Sequence, residues 1–444
     1  MAVAALVSCT SPEQEAAPRE RQGRPPNVLI FVTDDQRAAR TLSVMPHTRR
    51  FFARGGTRFR NAFATTPLCC PSRASILSGR YSHNHGVTRN ELGGRLDESH
   101  SLPAYLSSAG YRSAISGKYL QGMPLHTDPP YFDRWDIFSW GYYDRTHNVN
   151  GRPKLVRSYS TDHVGRFAVD SLRRFERDDR APWLLYVAPN APHLPFVPSG
   201  KYRSAPLPER SHGQVRLERD RRDKPSFVRA SRFGRAKGNR IMKRQLRTLL
   251  SVDDMVERVV RTLRALGEDR NTLAFFMSDN GYLLGEHGLF GKRLPYEPSV
   301  RIPLLMRWPG RVPAGTVEDR LVANIDIAPT VLDAAGIETD ANHGMDGISL
   351  LGSAKRDHLL LEQIEERPQL LPGWAALRSA TEIYIEYYAP DQETVQFREH
   401  YGLIEDGLQL VNTLADDDSS NDGNVDVLQT RLEEARSCAG SSCP

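Results

Sequence analysis

The sequence lacks any apolar run approaching the roughly 18 to 20 residues a membrane-spanning helix needs, so no such span is expected. Cysteine is scarce, five in 444 residues, and scattered as Cys9, the pair Cys69 and Cys70, and the terminal pair Cys438 and Cys443. That pattern fits neither a disulfide framework nor a zinc site. No internal repeat and no nucleic-acid module with a basic, aromatic-interleaved helix is present, which argues against nucleic acid as a partner. With 39% hydrophobic and 25% charged residues the chain is neither disordered nor fibrous. Its length suits one large α/β core with a smaller companion domain.

Positive charge is concentrated. Lys201 to Gln245 holds fifteen Lys or Arg against four acids, while the whole chain carries only +5, so the remainder is net acidic. Such a block reads as a solvated insertion, or as an attractor of a polyanion, for which a sulfated glycan fits better than nucleic acid. The start ends in Leu6-Val7-Ser8-Cys9, which resembles the lipobox of bacterial lipoproteins, and a polar tether, Thr10 to Gly23, follows. The basic n-region and long h-region of a full signal peptide are missing. Lipidation of Cys9, with export and membrane attachment, therefore requires a longer precursor; otherwise the likeness is accidental.

Asn27 to Thr33 is a short β-branched apolar run that ends on Asp34 and Asp35, which reads as a buried strand. The pattern returns at Tyr111 to Ser116 before Gly117-Lys118, at Trp183 to Ala188 before Pro192-His193, and at Thr272 to Ser278 before Asp279-Asn280. In open α/β sheets ligands bind beyond the carboxyl ends of the strands, so four distant segments can converge on one site. Gln245 to Leu266 has helical apolar spacing and stops at Gly267. Ile302 to Arg307 reads as a strand, and Leu321 to Ile327 with Ala328 to Ala335 as strand then helix. Beyond about Ser353, short strands at Trp374 to Arg378, Glu382 to Tyr388 and around His400 to Leu403, with a helix over Val425 to Arg436, predict a small antiparallel sheet carrying a helix. The expected divisions are a tether (1–23), a catalytic domain (24–353, with the basic insertion 201–245) and a C-terminal α+β subdomain (354–444).

The sharpest motif is Cys69-Cys70-Pro71-Ser72-Arg73 followed by Ala74 to Arg80. It resembles the signature of the formylglycine-dependent sulfatases, in which the first Cys is oxidised to an aldehyde by a formylglycine-generating enzyme. Gly110 to Lys118, Ala191-Pro192-His193, Ser278 to Gly281, Gly285 to Gly288, Gly291-Lys292, Leu321 to Asp326 and Met345 to Gly347 follow in that family's order. Within the family the chain is most similar to N-acetylglucosamine-6-sulfatases. Gly117 to Leu120, Tyr142-Tyr143 with Asn148 to Gly151, and Leu250 to Asp254 carry that likeness. Many arylsulfatases have His two positions after the lysine, where this chain has Leu120.

The resemblance implies an alkaline phosphatase-like α/β sandwich, with a large, mostly parallel mixed sheet flanked by helices and a smaller C-terminal domain. It implies one Ca²⁺, with Mg²⁺ the alternative, held by Asp34, Asp35, Asp279 and Asn280 together with the group made from Cys69. Hard oxygen ligands suit either ion. An aldehyde at position 69 hydrates to a geminal diol: one hydroxyl attacks sulfur, and collapse of the other expels sulfate and regenerates the aldehyde. Arg73, one helical turn on, reaches back toward the diol, and the helix start faces the anion. Lys118 and Lys292 are expected to hold sulfate oxygens, and His193 to protonate the departing alcohol. His83, His85, Asn90 and His287 are weaker pocket or sugar candidates. Cys70 is expected to be inert. Cys438 and Cys443 are close enough to close a small loop, a bond that an exported location permits. A sulfated glycan is the expected substrate. A phosphoester or phosphonate hydrolase, and a silent glycan-binding relative, remain the alternatives.

Overall fold

The computed structural model describes residues 24–208, 218–339, 344–364, 371–416 and 418–444. The lipobox-like stretch ending at Cys9, the segment after it and part of the basic block lie outside these residues. The strands run, in chain order, β1 (Asn27–Thr33), β2 (Thr57–Phe63), β3 (Arg112–Gly117), β4 (Arg134–Ile137), β5 (Arg145–Val149), β6 (Arg152–Val156), β7 (Trp183–Ala188) and β8 (Thr272–Ser278). They continue with β9 (Leu283–Leu284), β10 (Phe290–Gly291), β11 (Leu304–Arg307), β12 (Thr316–Ala323), β13 (His358–Gln363), β14 (Trp374–Ser379), β15 (Glu382–Tyr388) and β16 (Val395–Gly402).

Ten of these form one mixed sheet in the order β12-β2-β11-β8-β1-β7-β3-β4-β5-β6. Its centre, β8-β1-β7-β3, is wholly parallel, so all four strands end at one edge. Both faces of that centre are covered, which is why β1 reads as an unbroken apolar run rather than an alternation. Val28, Ile30 and Val32 enter one core with Ala74, Ile76 and Leu77, whereas Leu29 and Phe31 enter the other with Leu249, Val252 and Val256. The helix Cys69–Ser78 thus covers one face and the long helix Arg235–Ala265 the other. The C-terminal part is the antiparallel sheet β13-β14-β15-β16, against which the helix Val425–Arg436 buries Leu428 and Leu432.

Several boundaries differ from the expectation. The long helix begins at Arg235, not Gln245, so the end of the basic block is helix rather than insertion. Its first turns are charged and contain Gly238, which conceals the period. Gly238 is needed there because a Cβ would lie 1.6 Å from the carbonyl oxygen of Leu284. The expected strand Leu321 to Ile327 instead runs Thr316–Ala323 and yields to a 3₁₀ turn, Asn324–Asp326, whose Asp326 side chain accepts from the Ala323 amide. β2, β13, the β5–β6 pair and the helix Ser160–Phe175 had no strong signal in the sequence.

Within Leu250 to Asp254, Asp253 has a structural task. It accepts hydrogen bonds from the amides of His47 (3.0 Å) and Thr48 (2.8 Å) and from the Thr48 hydroxyl (2.8 Å), tying the long helix to the segment after β1. Asp253→Ala leaves these buried donors unsatisfied, and should lower unfolding free energy by about 1 to 3 kcal/mol in a denaturant titration.

Candidate active site

The four parallel strands deliver their following residues to one place. Asp34 and Asp35 follow β1, Asp279 and Asn280 follow β8, Lys118 follows β3, and His193 lies in the turn after β7. Asp34, Asp35, Asp279 and Asn280 are fully buried. Asp35 adopts φ 68°, a left-handed conformation uncommon for a residue with a side chain and often concentrated at working sites. Gly117 explains how Lys118 enters: at φ 112°, a Cβ there would lie 2.0 Å from the Ala188 carbonyl oxygen, so only glycine lets β3 close on β7.

Cys69 begins the helix Cys69–Ser78, whose ten residues are all buried. Asn90 accepts from the Cys70 amide at 3.0 Å and so satisfies a free donor of the first turn. The Cys69 thiol points at Asp34 Oδ1 (3.4 Å), and the Lys292 ammonium donates to its sulfur at 2.6 Å. Lys118 donates to Asp34 Oδ2 at 2.7 Å, and Lys292 also pairs with Asp35. Arg73 places Nε 2.9 Å from Asp279 Oδ2 and donates through a terminal nitrogen to the Lys118 carbonyl at 2.8 Å. It therefore braces the site from below one turn of helix. His193 Nε2 lies 3.7 Å from Asp35 Oδ2.

Burial alone would raise the Asp34 carboxyl, but Lys118, His193, Arg73 and Lys292 outweigh it and hold Asp34 far below the usual carboxylate range. Burial dominates at Cys69, pushing its thiol up to about 12, with Asp34 adding to the shift. Lys118 and Lys292 are buried too, yet the carboxylates around them raise both pKa values, so both stay charged.

Asp34, Asp35, Cys69 and His193 bring ligand-type atoms within 4.8 Å of one another. Asp35 Oδ2 and Asn280 Oδ1 are buried oxygens without a hydrogen-bond partner, as expected of groups built to face a cation. Asp279 is committed differently: Oδ1 accepts from the Asp35 amide (3.1 Å) and Oδ2 from Arg73.

The weaker candidates separate. His85 is buried against Ser75 Oγ (3.0 Å), and burial drives its pKa to about 3, so it is a neutral packing group. His287 is buried, stacked on Tyr296 at 4.1 Å and hydrogen-bonded to Glu218 at 2.8 Å. It borders a cavity of about 260 Å³ that is shared with Arg37, Glu286 and Arg301 and includes none of Cys69, Lys118 or Lys292. Leu120 is packed in the core and offers no polar group at the position where many arylsulfatases are expected to have histidine.

His83 ties the small C-terminal sheet to the catalytic part. Its Nδ1 meets Glu362 at 3.0 Å and its Nε2 the Cys438 carbonyl at 2.9 Å. Burial disfavours the imidazolium, but Glu362 prevails and raises the pKa from 6.5 to about 8. A pKa raised on folding contributes stability that is fully present below the unfolded value and lost as pH rises through the folded one. His83→Gln should therefore cost about 2 kcal/mol at pH 6 and much less at pH 9, read from denaturation curves at the two pH values.

The sequence reading missed three residues at the site. Ser72 donates to the Asp279 carbonyl, and Asn324 donates to Ser72 Oγ at 2.9 Å while accepting from Thr65, which fixes the helix that carries Cys69. Asn190, past the end of β7, is buried with neither side-chain amide atom partnered. Only their positions after strands, or inside the Cys69 motif, could have marked them. At the other end of the chain, Cys438 and Cys443 form a disulfide.

A family model described as Sulfatase matches residues 26–337, and one described as N-sulphoglucosamine sulphohydrolase, C-terminal, matches residues 285–421. The chain is 36% identical over 354 residues to a Drosophila melanogaster protein named Extracellular sulfatase SULF-1 homolog, a match covering 75% of this chain and 31% of that protein. It thus spans about a third of the fly protein. It is 31% identical to human N-acetylglucosamine-6-sulfatase over 481 residues, covering 95% of this chain and 86% of the human one. A solved structure of a protein in complex with its substrate D-glucosamine-2-N,6-O-disulfate superposes with a TM-score of 0.80 at 25% identity, covering 93% of this chain and 97% of that one.

Proposed function

Because the chain belongs to the sulfatase family, we propose that it hydrolyses sulfate monoesters of a sulfated sugar, foremost the 6-O-sulfate of N-acetylglucosamine. The observation that carries this reading is the meeting of Cys69 with Asp34, Asp35, Lys118 and Lys292 at the carboxyl edge of the sheet. Sulfate is an anion; Lys118, Lys292 and Arg73 balance the carboxylates of Asp34, Asp35 and Asp279, so a bound divalent cation would leave the pocket positive toward it.

The nucleophile is a formylglycine made from Cys69 by an activating enzyme. Its motif supports this, and so does burial, which pushes the Cys69 thiol well above its usual range and so disfavours the thiolate. Asp34, Asp35 and Asn280 would supply hard oxygens that fit Ca²⁺, or Mg²⁺, with Asp279, here held by Arg73 and the Asp35 amide, the fourth residue of the set. When bound, the cation polarises the sulfate and makes the nucleophilic hydroxyl more acidic. Lys118 and Lys292 orient the sulfate oxygens. His193 Nδ1 lies 2.8 Å from the Leu194 carbonyl, which can only accept, so Nδ1 carries hydrogen, and with the ring as imidazolium its second N–H, at Nε2, is the one that passes a proton to the leaving oxygen. Action outside the cytoplasm belongs to the same reading, supported by the Cys438–Cys443 disulfide.

Part of the basic block packs on the segment that carries Lys292. Phe233 stacks on Phe290 at 4.4 Å, two residues before Lys292, and Arg232, Arg235 and Lys237 next to Phe233 are exposed. Other members are used internally: Lys224 is buried between Glu218 and Asp223. The exposed group should raise affinity for longer, more sulfated chains, an effect that salt screens within roughly 10 Å at 0.1 M. Turnover of a panel of mono- and oligosaccharide sulfates over a salt series tests both claims. A 6-O-sulfate preference is expected, with oligosaccharide KM rising with salt more steeply in the parent than in a variant with Arg232, Arg235, Lys237 and Arg240 neutralised. Preference for 2-O- or 3-O-sulfates overturns the substrate, and preference for phosphonate esters overturns the reaction.

A further inference from the structure

Away from Cys69, three ligand-type side chains from three elements meet inside the protein: Asp136 on β4, His147 on β5 and His163 on the helix Ser160–Phe175. One donor atom from each lies within 4.8 Å of the other two. His147 Nδ1 is 2.6 Å from Asp136 Oδ1, and His163 Nε2 is 2.7 Å from Asp136 Oδ2. The side chains of Asp136 and His147 are completely buried, while that of His163 is 17% exposed and opens one side of the cluster to solvent.

The two contacts differ. His147 meets the carboxylate as a hydrogen bond, whereas His163 Nε2 lies against Asp136 Oδ2 at 2.7 Å as an ion pair bent away from hydrogen-bond geometry. His147 Nε2 is also buried without a hydrogen-bond partner, so the cluster keeps nitrogen lone-pair capacity that the carboxylate does not use. Around it, Phe138 stacks on His147 at 4.4 Å, and the two imidazoles lie edge to face at 5.1 Å.

We propose that Asp136, His147 and His163 form a zinc site distinct from the oxygen-rich site at Asp34 and Asp35. Two imidazoles and one carboxylate are the borderline donor set that zinc prefers and calcium does not, and three protein ligands leave a fourth, tetrahedral position for water on the His163 side. The site is a clamp. It joins β4 and β5, at the outer end of the sheet, to the helix that covers them, and β4 pairs with β3, the strand that presents Lys118.

The test uses the full chain stripped of metal and titrated with zinc alone, then with Co²⁺ as a spectroscopic reporter. The parent is compared with His163→Ala and Asp136→Asn, because the catalytic carboxylates can also take a divalent ion. His163 is mostly buried and pairs with Asp136, so each variant's zinc-induced gain in melting temperature is read against its own metal-free value, which truncation is expected to lower. Losing even an outer-shell partner costs about 10- to 100-fold in metal affinity, so loss of a ligand should weaken this equivalent by at least 100-fold. The parent should bind one more zinc than either variant, show imidazole-dependent Co²⁺ absorption that both lack, and alone gain melting temperature with zinc. Equal zinc stoichiometry and affinity in all three proteins, or no zinc uptake by the stripped parent, overturns the proposal.

Discussion

Cys69→Ala should abolish turnover, by about 10⁴-fold or more, as removal of a nucleophile does when the rest of a site is intact. The fold should hardly change. Cys69 is buried, but its contacts are polar ones to Asp34 and Lys292 rather than core packing, so the stability cost should stay near 1 kcal/mol. Cys69→Ser is the sharper comparison. It restores one hydroxyl at the same place, yet a single hydroxyl cannot both take the sulfate and expel it, so the variant should stall after the first transfer. Steady-state kinetics with purified variants and a melting curve for each decide the matter. An alanine variant within tenfold of the parent would remove Cys69 from the chemistry.

Asp35→Asn should show the second large effect, losing calcium and turnover together. Asn keeps the shape of the side chain while withdrawing the charge that pairs with Lys292 and the unpartnered oxygen that faces the cation site. Asp35→Ala is less clean, because breaking a buried ion pair by removing one partner costs about 3 to 5 kcal/mol and obscures the metal effect. A loss of about 10³-fold in turnover, the scale of removing one electrostatic stabiliser or more, is expected. Chelation of the parent should reproduce it, and added Ca²⁺ should reverse the chelation only. Elemental analysis distinguishes the branches: calcium lost on Asp35→Asn supports the hard-metal site, whereas zinc lost from this position would indicate phosphatase-type chemistry. Unchanged metal content would remove Asp35 from the ligand set.

The catalytic edge was legible because parallel, doubly covered strands are written as unbroken apolar runs, and the residues just after them have nowhere to go but the sheet's carboxyl edge. Asp34, Lys118, His193 and Asp279 were all found that way. β2 was hidden because Arg58 and Arg60 face solvent between buried residues, and the β5–β6 pair because most of its residues are exposed. Histidines were the least legible. His83, His85 and His287 look alike in sequence, and only their partners, Glu362, Ser75 and Glu218, separate a tie between subdomains from a packed neutral ring. The cluster of Asp136, His147 and His163 has no spacing signature, since its members come from three elements joined only by the fold. Asn324 and Ser72 show the same limit, for hydrogen bonds between segments 252 residues apart leave no local pattern.

The central claim is that activity resides in a modified Cys69. Preparations made with increasing amounts of activating enzyme should be assayed on a 6-O-sulfated sugar, while the peptide carrying residue 69 is quantified by mass spectrometry in the same samples. Specific activity should rise in proportion to the fraction of aldehyde at position 69 and extrapolate to zero where only thiol is present. Full activity in a preparation whose Cys69 is entirely thiol would contradict the account.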